Sequence, residues 1–363
     1  MKLLLVINNL NLGGAEKLVS LLAPRFVDRG IETSVLVLER TESVLESSLK
    51  ESGVVVMDTG PMSLYSVGQV PALARRIAQG RYDVVHVHLF PAQLWSGLAT
   101  IFSADPPLVT TEHSTYNRRR KPYFRPADRF NYSRYRRIIC VSDVVASEMT
   151  KWLPSTSKKI VVIPNGIALS PIRDAQPLEP QEIGIDTRPA ILCVGRFVPE
   201  KDHMTLIQAF ATLDRGILIL AGDGPTKRDM EALATMLGVS KRVRFLGFRT
   251  DIPRLLKSAD VFVQPSRWEG LSLSLLEAMA AGLPIIASTA PGVSDSVGEA
   301  GLLFEQANTV ALAKCLTEVT QSDTLRTGLR GRSLRRSLDY DIEGTADKYA
   351  ALYHEIVSGR SGV

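Results

Sequence analysis

Short apolar runs alternate with amphipathic stretches along the whole chain. Seven runs lie in the first half, "KLLLVI", "TSVLVL", "VVVM", "DVVHVH", "PLVTTEH", "RIICVS" and "KIVVIP", and six in the second, "AILCVG", "GILILAG", "VRFLG", "DVFVQP", "LPIIAS" and "GLLF". Continuous apolar strands separated by helices are typical of parallel sheets that are covered on both faces. Because thirteen strands are many for one sheet, the pattern predicts an α/β chain with two doubly wound domains.

The segment between these halves and the last segment of the chain differ in pattern. Residues 164–189 contain five prolines and no clear period, which predicts a linker. Residues 342–357 instead carry apolar side chains at helical spacing and predict a final amphipathic helix; these are Ala346, Tyr349, Ala350, Tyr353 and Ile356.

Composition adds a broad class. The 363 residues are 45% hydrophobic and 22% charged, as in an ordinary globular protein with a large core. No apolar run approaches the roughly 18 residues that cross a bilayer, and "MKLLLVINNL" is too short for a signal-peptide core. We therefore expect a cytoplasmic protein. Cys140, Cys193 and Cys315 form no Cys-x-x-Cys pair, and we expect all three to be reduced and mostly buried.

Ligands bind doubly wound sheets at the carboxyl ends of the strands, so the loops there carry the candidate chemistry. Gly13 and Gly14 follow the first strand and precede a helix, whose N-terminus favours anions. Neither a G-x-G-x-x-G nor a G-K-[ST] motif occurs there, and a tight turn is the alternative interpretation. Between two such domains, the cleft is the expected site.

Histidines lie near two strand ends. His113 follows "PLVTTE" and is either an acid-base or hydrogen-bonding group or a structural residue. His86 and His88 alternate in "DVVHVH"; we expect one to be buried and the other to line the cleft.

Two cations follow the strand "ILCVG". Arg196 and Lys201 flank a loop before a helix, where the dipole disfavours cations unless an anion binds. An arginine fork and a lysine point charge suit a diphosphate. Solvated loop charges are the alternative.

The segment "RWEGLSLSLLEAMAAG" contains two glutamates separated by seven residues. We expect a helix to begin near residues 271–273, with Glu269 on the preceding loop and Glu277 one or two turns into the helix. The N–H groups near Ser272, Leu273 and Ser274 can then hold a phosphate.

Together these segments resemble the retaining glycosyltransferases of family 4, which have the GT-B architecture. The resemblance spans nearly the whole chain through "NLGGAE", "TTEHS", "RRIICVS", "IPNGI", "VGRFVPEKD", "LAGDGP", "VRFLGF", "ADVFVQPSRWEGLSLSLLEAMAAGLPIIAS" and a closing helix. It implies two Rossmann-like domains facing a central cleft: an acceptor-binding domain over residues 1–168 and a donor-binding domain over residues 169–341. A helix within residues 342–363 would return to the N-terminal domain.

The resemblance also implies roles for the candidate residues. Arg196 and Lys201 would hold the donor diphosphate and stabilise the negative charge that grows as the nucleotide leaves. Glu277 would bind the ribose hydroxyls, and Glu269 would contact the sugar near the reacting carbon. His113 would contact the transferred sugar or assist at the acceptor side.

Further donor contacts are implied at two other loops. Gly13 and Gly14 would let the N-terminal domain approach the phosphates or the acceptor, and Phe248 and Arg249 would lie near the nucleotide base. The chain departs from the family pattern at "STAPGVSDSV", where many relatives have Gly-Gly and a glutamate, and at Ala168, where relatives often have aspartate.

The implied activity is retaining transfer of a sugar from a nucleotide diphosphate-sugar, with UDP-sugars favoured, to a glycan or lipid-linked acceptor in polysaccharide or glycolipid assembly. Because two side-chain cations can replace a divalent metal, no metal and no other cofactor is expected. The one D-x-D nearby, Asp339 to Asp341, is expected at the surface. The alternatives are a nucleotide-sugar epimerase of the same architecture and a non-catalytic nucleotide- or carbohydrate-binding subunit.

Basic charge is concentrated in one segment. Residues 118–137 carry a net charge of +8, whereas the whole chain carries +5. Cations interleaved with aromatic side chains suit an anionic membrane surface, so we predict peripheral contact with the inner face of the membrane. A solvated surface is the alternative, and nucleic acid is not expected. The predicted patch comprises Arg118, Arg119, Arg120, Lys121, Tyr123 and Phe124.

Overall fold

The chain forms two compact units in the computed structural model, which describes residues 1–11, 13–101, 106–117 and 119–359. Unit 1 runs from Met1 to Gly166 and resumes at Ile342, whereas unit 2 is continuous from Ile167 to Asp341. The polypeptide therefore leaves unit 1, builds unit 2 and returns to unit 1.

Unit 1 is a parallel sheet with the strand order β3-β2-β1-β4-β5-β6-β7. Its strands are β1 (Lys2–Ile7), β2 (Glu32–Val37), β3 (Val55–Asp58), β4 (Val84–His88), β5 (Leu108–Glu112), β6 (Tyr135–Cys140) and β7 (Ile160–Val162). The helices between them are α1 (Gly14–Asp28), α2 (Val44–Glu51), α3 (Gln69–Gly80), α4 (Ala92–Ala99), α5 (Arg125–Ser133) and α6 (Asp143–Trp152). Every residue of β4 and β5 is buried, as expected for a sheet covered on both faces.

Unit 2 repeats this design with the strand order β10-β9-β8-β11-β12-β13. Its strands are β8 (Ala190–Val194), β9 (Ile217–Ala221), β10 (Val243–Gly247), β11 (Val261–Gln264), β12 (Ile285–Ser288) and β13 (Gly301–Phe304). Its helices are α7 (Leu169–Arg173), α8 (His203–Phe210), α9 (Lys227–Met236), α10 (Ile252–Ser258), α11 (Leu273–Ala280), α12 (Ser294–Val297), α13 (Thr309–Gln321) and α14 (Asp323–Ser337). All thirteen predicted strands are present, and both sheets are parallel.

The final helix, α15 (Ile342–Val357), packs within unit 1. Its Tyr349 and Tyr353 are fully buried, and their ring centroids lie 6.3 and 5.5 Å from that of Phe26 on α1. Ion pairs join the same two helices at the surface, Arg25 to Glu343 and Arg29 to Asp347, each with an N–O distance of 2.7 Å. The predicted helix over residues 342–357 is confirmed.

The prediction of a linker over residues 164–189 is wrong. This segment contains α7 and a 3-10 turn at Pro180–Ile183, and it packs onto unit 2 through Ile172, Leu178 and Ile183, which are all buried. The Leu178 N–H donates to the Ser258 hydroxyl oxygen at 2.8 Å. Each of these two elements is about one turn long and is therefore too short to show a helical period in the sequence.

The cysteines partly match the prediction. All three are free thiols; Cys140 and Cys193 are buried, but Cys315 is only partly buried. Burial raises the pKa of the Cys193 thiol to about 12, so this side chain is neutral and acts as a small apolar group of the core.

Candidate active site

The loops after β8 and β9 are locked together in unit 2. A Cβ at Gly222 would lie 2.0 Å from the carbonyl oxygen of Gly195, and Gly222 has a φ of +143°, so only glycine fits there. The Phe197 N–H donates to the Asp223 carbonyl oxygen at 3.0 Å. This packing fixes the segment from Gly195 to Lys201, in which Arg196 is exposed and Lys201 ends a 3-10 turn at Pro199–Lys201.

Lys201 and Glu269 form an ion pair at the carboxyl end of the sheet. The Lys201 Nζ lies 2.5 Å from the Glu269 Oε1, and the two side chains are 19% and 15% exposed. The same carboxylate oxygen accepts hydrogen bonds from the Ser266 hydroxyl at 2.8 Å and from the Gln264 Nε2 at 3.0 Å. Three donors therefore hold one oxygen of Glu269 in place.

Gln264 connects this carboxylate to the start of α11. Its Oε1 accepts weak hydrogen bonds from the hydroxyls of Ser272 and Ser274, at 3.4 and 3.5 Å. Ser272 is the N-cap residue, so the free N–H groups of the first turn begin at Leu273 and Ser274, as predicted. Glu277 lies in the second turn and is 7% exposed. The loop-to-helix arrangement predicted for the two glutamates is confirmed.

The loop at "STAPGVSDSV" supports the backbone of Glu269. The Glu269 N–H donates to the Pro291 carbonyl oxygen at 3.2 Å. Gly292 has a φ of +79°, and a Cβ there would lie 2.3 Å from the Glu269 carbonyl oxygen. Any other residue at position 292 would therefore displace the loop that carries Glu269.

His203, at the start of α8, is buried beside the segment from Gly195 to Lys201. Its ring stacks on Phe197 with a centroid distance of 4.3 Å and an interplanar angle of 10°. Among the described residues, neither ring nitrogen has a hydrogen-bond partner. Burial lowers the pKa of His203 to about 4, and the ring therefore acts as a neutral aromatic group behind Lys201.

The residues predicted near the nucleotide base follow β10. Phe248 is about half exposed, and the Arg249 guanidinium is paired with Asp251 at 2.8 Å through Nε. This hydrogen bond lowers the pKa of the Asp251 carboxyl. An open depression of about 420 Å³ follows the adjacent strand β9, and its walls include Lys227.

In unit 1, Gly13 and Gly14 begin α1. Gly13 is the N-cap residue and has extended backbone, with a φ of −136°. The Glu16 carboxylate lies in front of it, because a Cβ at Gly13 would be 2.3 Å from the Glu16 Oε2. The Glu16 carboxylate therefore lies near the positive end of the α1 dipole, and the role predicted for Gly13 and Gly14 stays a prediction.

His113 follows β5 and is joined to a buried histidine pair. Its Nε2 lies 3.1 Å from the Nδ1 of His88, and the ring centroids of His88 and His86 are 4.1 Å apart. His86 and His88 are both buried, so the expectation that one of them lines a cleft is wrong. The two residues are two positions apart on a strand and share one face, against which α15 packs through Tyr353.

The predicted basic patch contains side chains that bond inward as well as side chains that are exposed. Arg118 lies outside the described residues, and Arg119 and Arg120 do not face solvent freely. Arg119 forms an ion pair with the buried Asp128 at 3.2 Å, and its guanidinium carbon lies 3.6 Å from the Phe90 ring centroid. Arg120 donates a hydrogen bond to the Thr115 carbonyl oxygen at 3.1 Å. The exposed cations and aromatic rings are instead Lys121, Tyr123, Phe124, Arg125, Arg129 and Phe130, which we call the aromatic-basic surface.

Two family models match the chain, one over each half. The model described as "Glycosyltransferase Family 4" matches residues 12–170, and the model described as "Glycosyl transferases group 1" matches residues 175–333. A 2-deoxystreptamine glucosyltransferase of Streptomyces kanamyceticus is 32% identical over 65% of this chain and 68% of that protein. The chain belongs to glycosyltransferase family 4.

Other relatives of this glycosyltransferase cover more of its length. An Escherichia coli enzyme named UDP-Gal:alpha-D-GlcNAc-diphosphoundecaprenol alpha-1,3-galactosyltransferase is 28% identical over 79% of each chain. The structure of Anabaena HepE in complex with UDP-glucose superposes with a TM-score of 0.84 over 98% of this chain and 100% of that chain, at 22% identity. The architecture is GT-B, with two Rossmann-like domains.

Several residues that shape the site of this glycosyltransferase could not be identified from its sequence. Gln264 and Ser266 stand in the quoted segment "DVFVQPSRWEG" but received no role, and Gly292 was noted only as a departure from the family. A polar side chain at the end of an apolar strand was the available signal for Gln264. The contact of His88 with His113 links two strands, and no local pattern shows it.

No helix in the described part of the glycosyltransferase combines the length and apolarity that a membrane span requires.

Proposed function

We propose that this glycosyltransferase moves a sugar, with retention of its anomeric configuration, from a UDP-sugar to a glycan or lipid-linked acceptor. The observation that carries the proposal is the Lys201–Glu269 pair beside the first turn of α11. It brings together a cation for phosphate, a carboxylate for sugar hydroxyls and the free N–H groups of a helix terminus.

The chemistry of this cluster suits a leaving nucleoside diphosphate. The Lys201 ammonium has three N–H donors, and Glu269 takes one of them. The remaining donors, with the N–H groups of Leu273 and Ser274, can stabilise the charge that develops on the leaving phosphate. Arg196, exposed on the same loop, adds a second cation for the diphosphate, and Glu277 is proposed to bind the ribose.

In the proposed step, the bond between the anomeric carbon and the leaving phosphate oxygen breaks. The acceptor hydroxyl oxygen bonds to the same face of that carbon, and its proton passes to the leaving phosphate. Glu269 is proposed to position the sugar in this step. His113 is proposed to contact the transferred sugar or to assist at the acceptor side.

The substrate classes rest on the relatives. The E. coli relative is named for UDP-Gal and a diphosphoundecaprenol-linked acceptor, and a Campylobacter jejuni relative is also named for a diphospho-undecaprenol acceptor. Structures of Anabaena HepE are described with UDP and with UDP-glucose. These names support a UDP-sugar donor and a lipid-linked or glycan acceptor for this chain.

We further propose that the reaction needs no divalent metal, because Lys201 and Arg196 supply the positive charge. Among the described residues, no group of three or more His, Cys, Asp or Glu side chains is placed to hold a metal ion. Addition of EDTA should leave the rate within about twofold of its starting value, since side-chain cations and helix N–H groups can stabilise the leaving phosphate. A strict requirement for Mg²⁺ or Mn²⁺ would contradict this part of the proposal.

The decisive experiment incubates the protein with UDP-glucose, UDP-galactose, UDP-N-acetylglucosamine and GDP-mannose, with and without a polyprenyl diphosphate-linked sugar. Release of UDP that the acceptor accelerates, with retained configuration in the early product by proton NMR, supports the proposal. Formation of an epimeric nucleotide-sugar without acceptor would instead identify an epimerase. Tight binding of every donor without turnover would identify a non-catalytic subunit.

Membrane contact is proposed for the aromatic-basic surface. Tyr123, Phe124 and Phe130 are 68%, 40% and 46% exposed, beside three exposed cations. Aromatic rings and cations together favour an anionic lipid surface, where a lipid-linked acceptor lies. Arg119 and Arg120 are not suitable test positions, because their side chains are bonded inward.

The matched test compares two double variants, each of which removes two positive charges from a different part of the surface. Arg125→Ser with Arg129→Ser should weaken binding to phosphatidylglycerol vesicles about tenfold or more, since each cation near such a surface contributes about 1 kcal/mol. Arg330→Ser with Arg335→Ser on α14, which are also exposed, should have little effect. Equal losses in both double variants would show that only net charge matters.

A further inference from the structure

Three histidines form a continuous group in unit 1; His86 and His88 are buried, and His113 is partly buried. His86 and His88 lie on one face of β4, and the His88 position pairs with Thr111 of the neighbouring strand β5, two residues before His113. This register brings His113 back over His88, where the Nδ1 of His88 and the Nε2 of His113 are 3.1 Å apart.

Burial determines the protonation state of His88 and His113. Burial lowers the pKa of His113 to about 4 and lowers the pKa of His88 well below its usual value, so both rings are neutral at neutral pH. A neutral imidazole carries one proton, and a hydrogen bond between two ring nitrogens contains one proton. Whichever ring donates, the state of His88 therefore decides which nitrogen of His113 carries hydrogen.

The ring of His88 also contacts His86. The His86 ring lies against it, and both nitrogens of His86 are engaged: Nδ1 with the Tyr353 hydroxyl at 2.6 Å and Nε2 with the Thr111 hydroxyl at 2.7 Å. Tyr353 is on α15. These hydrogen bonds end at His86, and the His88 ring packs against the His86 ring.

We propose that His88 is a positioning residue for His113, which orients the His113 ring and fixes its tautomer. The inference rests on the role proposed for His113 in sugar transfer, because a group that contacts the reacting sugar must present a defined donor or acceptor atom. Hydrogen bonding by the second nitrogen is the general means by which proteins select a histidine tautomer.

The first test measures the tautomer directly, without substrate. Nitrogen-15 NMR of histidine-labelled protein should show one His113 tautomer in the native chain. His88→Leu should give a mixture of tautomers, whereas His88→Asn, which keeps a hydrogen-bonding atom near the Nδ1 position, should restore one. An unchanged His113 tautomer in His88→Leu would overturn the proposal.

Tyr353→Phe is the matched control, because it removes a hydrogen bond from the same buried group but leaves the His88–His113 contact. It should keep the native tautomer even if it lowers the free energy of unfolding. Loss of the single tautomer in Tyr353→Phe as well as in His88→Leu would show that general packing sets the His113 ring, and the role assigned to His88 would then fail.

The second test measures UDP release with the donor that the panel identifies. His88→Leu should lower kcat about 10- to 100-fold with KM within about twofold, because small misplacements of a reacting group cost rates of this size. His88→Asn should recover most of the loss. A changed tautomer with unchanged kcat would support the positioning by His88 and contradict the role of His113 in transfer, so the two proposals can fail separately.

Discussion

At the residue scale, the two glutamates of "RWEGLSLSLLEAMAAG" occupy different environments. Glu269 lies on a loop with one carboxylate oxygen held by Lys201, Ser266 and Gln264. Glu277 lies in the second turn of α11 and is nearly buried. Different environments support different roles, one at the reacting sugar and one in donor binding.

Replacement of each glutamate should therefore change a different kinetic constant. Glu277→Gln should weaken UDP binding about 10- to 100-fold, since a hydrogen bond to a charged group contributes about 1.5–3 kcal/mol. Glu269→Gln should lower kcat about 100-fold with a smaller change in UDP affinity. Calorimetric titration with UDP and initial rates check both; the reverse pattern would exchange the two roles.

His203 offers a prediction about stability. Its buried ring stacks on Phe197, and no partner for its nitrogens is found among the described residues. Because an unsatisfied buried polar atom costs about 1–3 kcal/mol, His203→Phe should leave the free energy of unfolding unchanged or raise it by up to that amount. Urea denaturation measures the effect. His203→Ala is the comparison and should destabilise; a similar loss in His203→Phe would mean that the nitrogens have a partner.

At the element scale, the apolar runs were sufficient to predict every strand and the final helix, because buried parallel strands and a two-faced helix have strong local patterns. The one-turn elements between residues 164 and 189 could not be predicted; the burial of α7, for example, depends on contacts with α10 and α11. The same limit applies to the site. The position of Glu269 relative to α11 is local, whereas the support from Gly292 and the contact of Arg119 with the Phe90 ring depend on segments that are distant in the sequence.

The two kinds of contact made by α15 should contribute very differently. Tyr353 is fully buried, so Tyr353→Ala should lower the free energy of unfolding of unit 1 by about 3–5 kcal/mol. Asp347 is 69% exposed in its ion pair with Arg29, and Asp347→Ala should cost less than about 1 kcal/mol. Denaturant unfolding of the full chain, followed by hydrogen exchange in each unit, compares them. Equal losses would show that the ion pairs hold the helix.

At the scale of the whole molecule, the histidines whose pKa is lowered are unevenly divided between the two units. His86, His88 and His113 belong to unit 1 and His203 to unit 2, and burial lowers the pKa of all four: to about 3 for His86, to about 4 for His113 and His203, and well below its usual value for His88.

Mild acid should consequently destabilise unit 1 more than unit 2. An unfolded histidine binds a proton near pH 6.5, whereas these folded rings do not, so the stability they confer is complete above pH 6.5 and is lost as the pH falls towards 4. Each histidine contributes up to about 1.4 kcal/mol per pH unit in that window. Hydrogen exchange at pH 7.5 and pH 5.5 should show the greater loss of protection in unit 1. Equal losses in the two units would contradict this assignment, and His354→Gln, on the exposed face of α15, serves as the control.

The interruption of unit 1 by unit 2 has a consequence for biosynthesis. A ribosome completes residues 167–341 before it makes α15, so unit 2 can fold while unit 1 still lacks Tyr349 and Tyr353. During that interval the surface around Phe26 and His86 is left uncovered in the nascent chain. The sixteen-residue helix α15 thus completes unit 1 only after unit 2 has been made, and a ribosome stalled before residue 342 would present an apolar surface for chaperones to recognise.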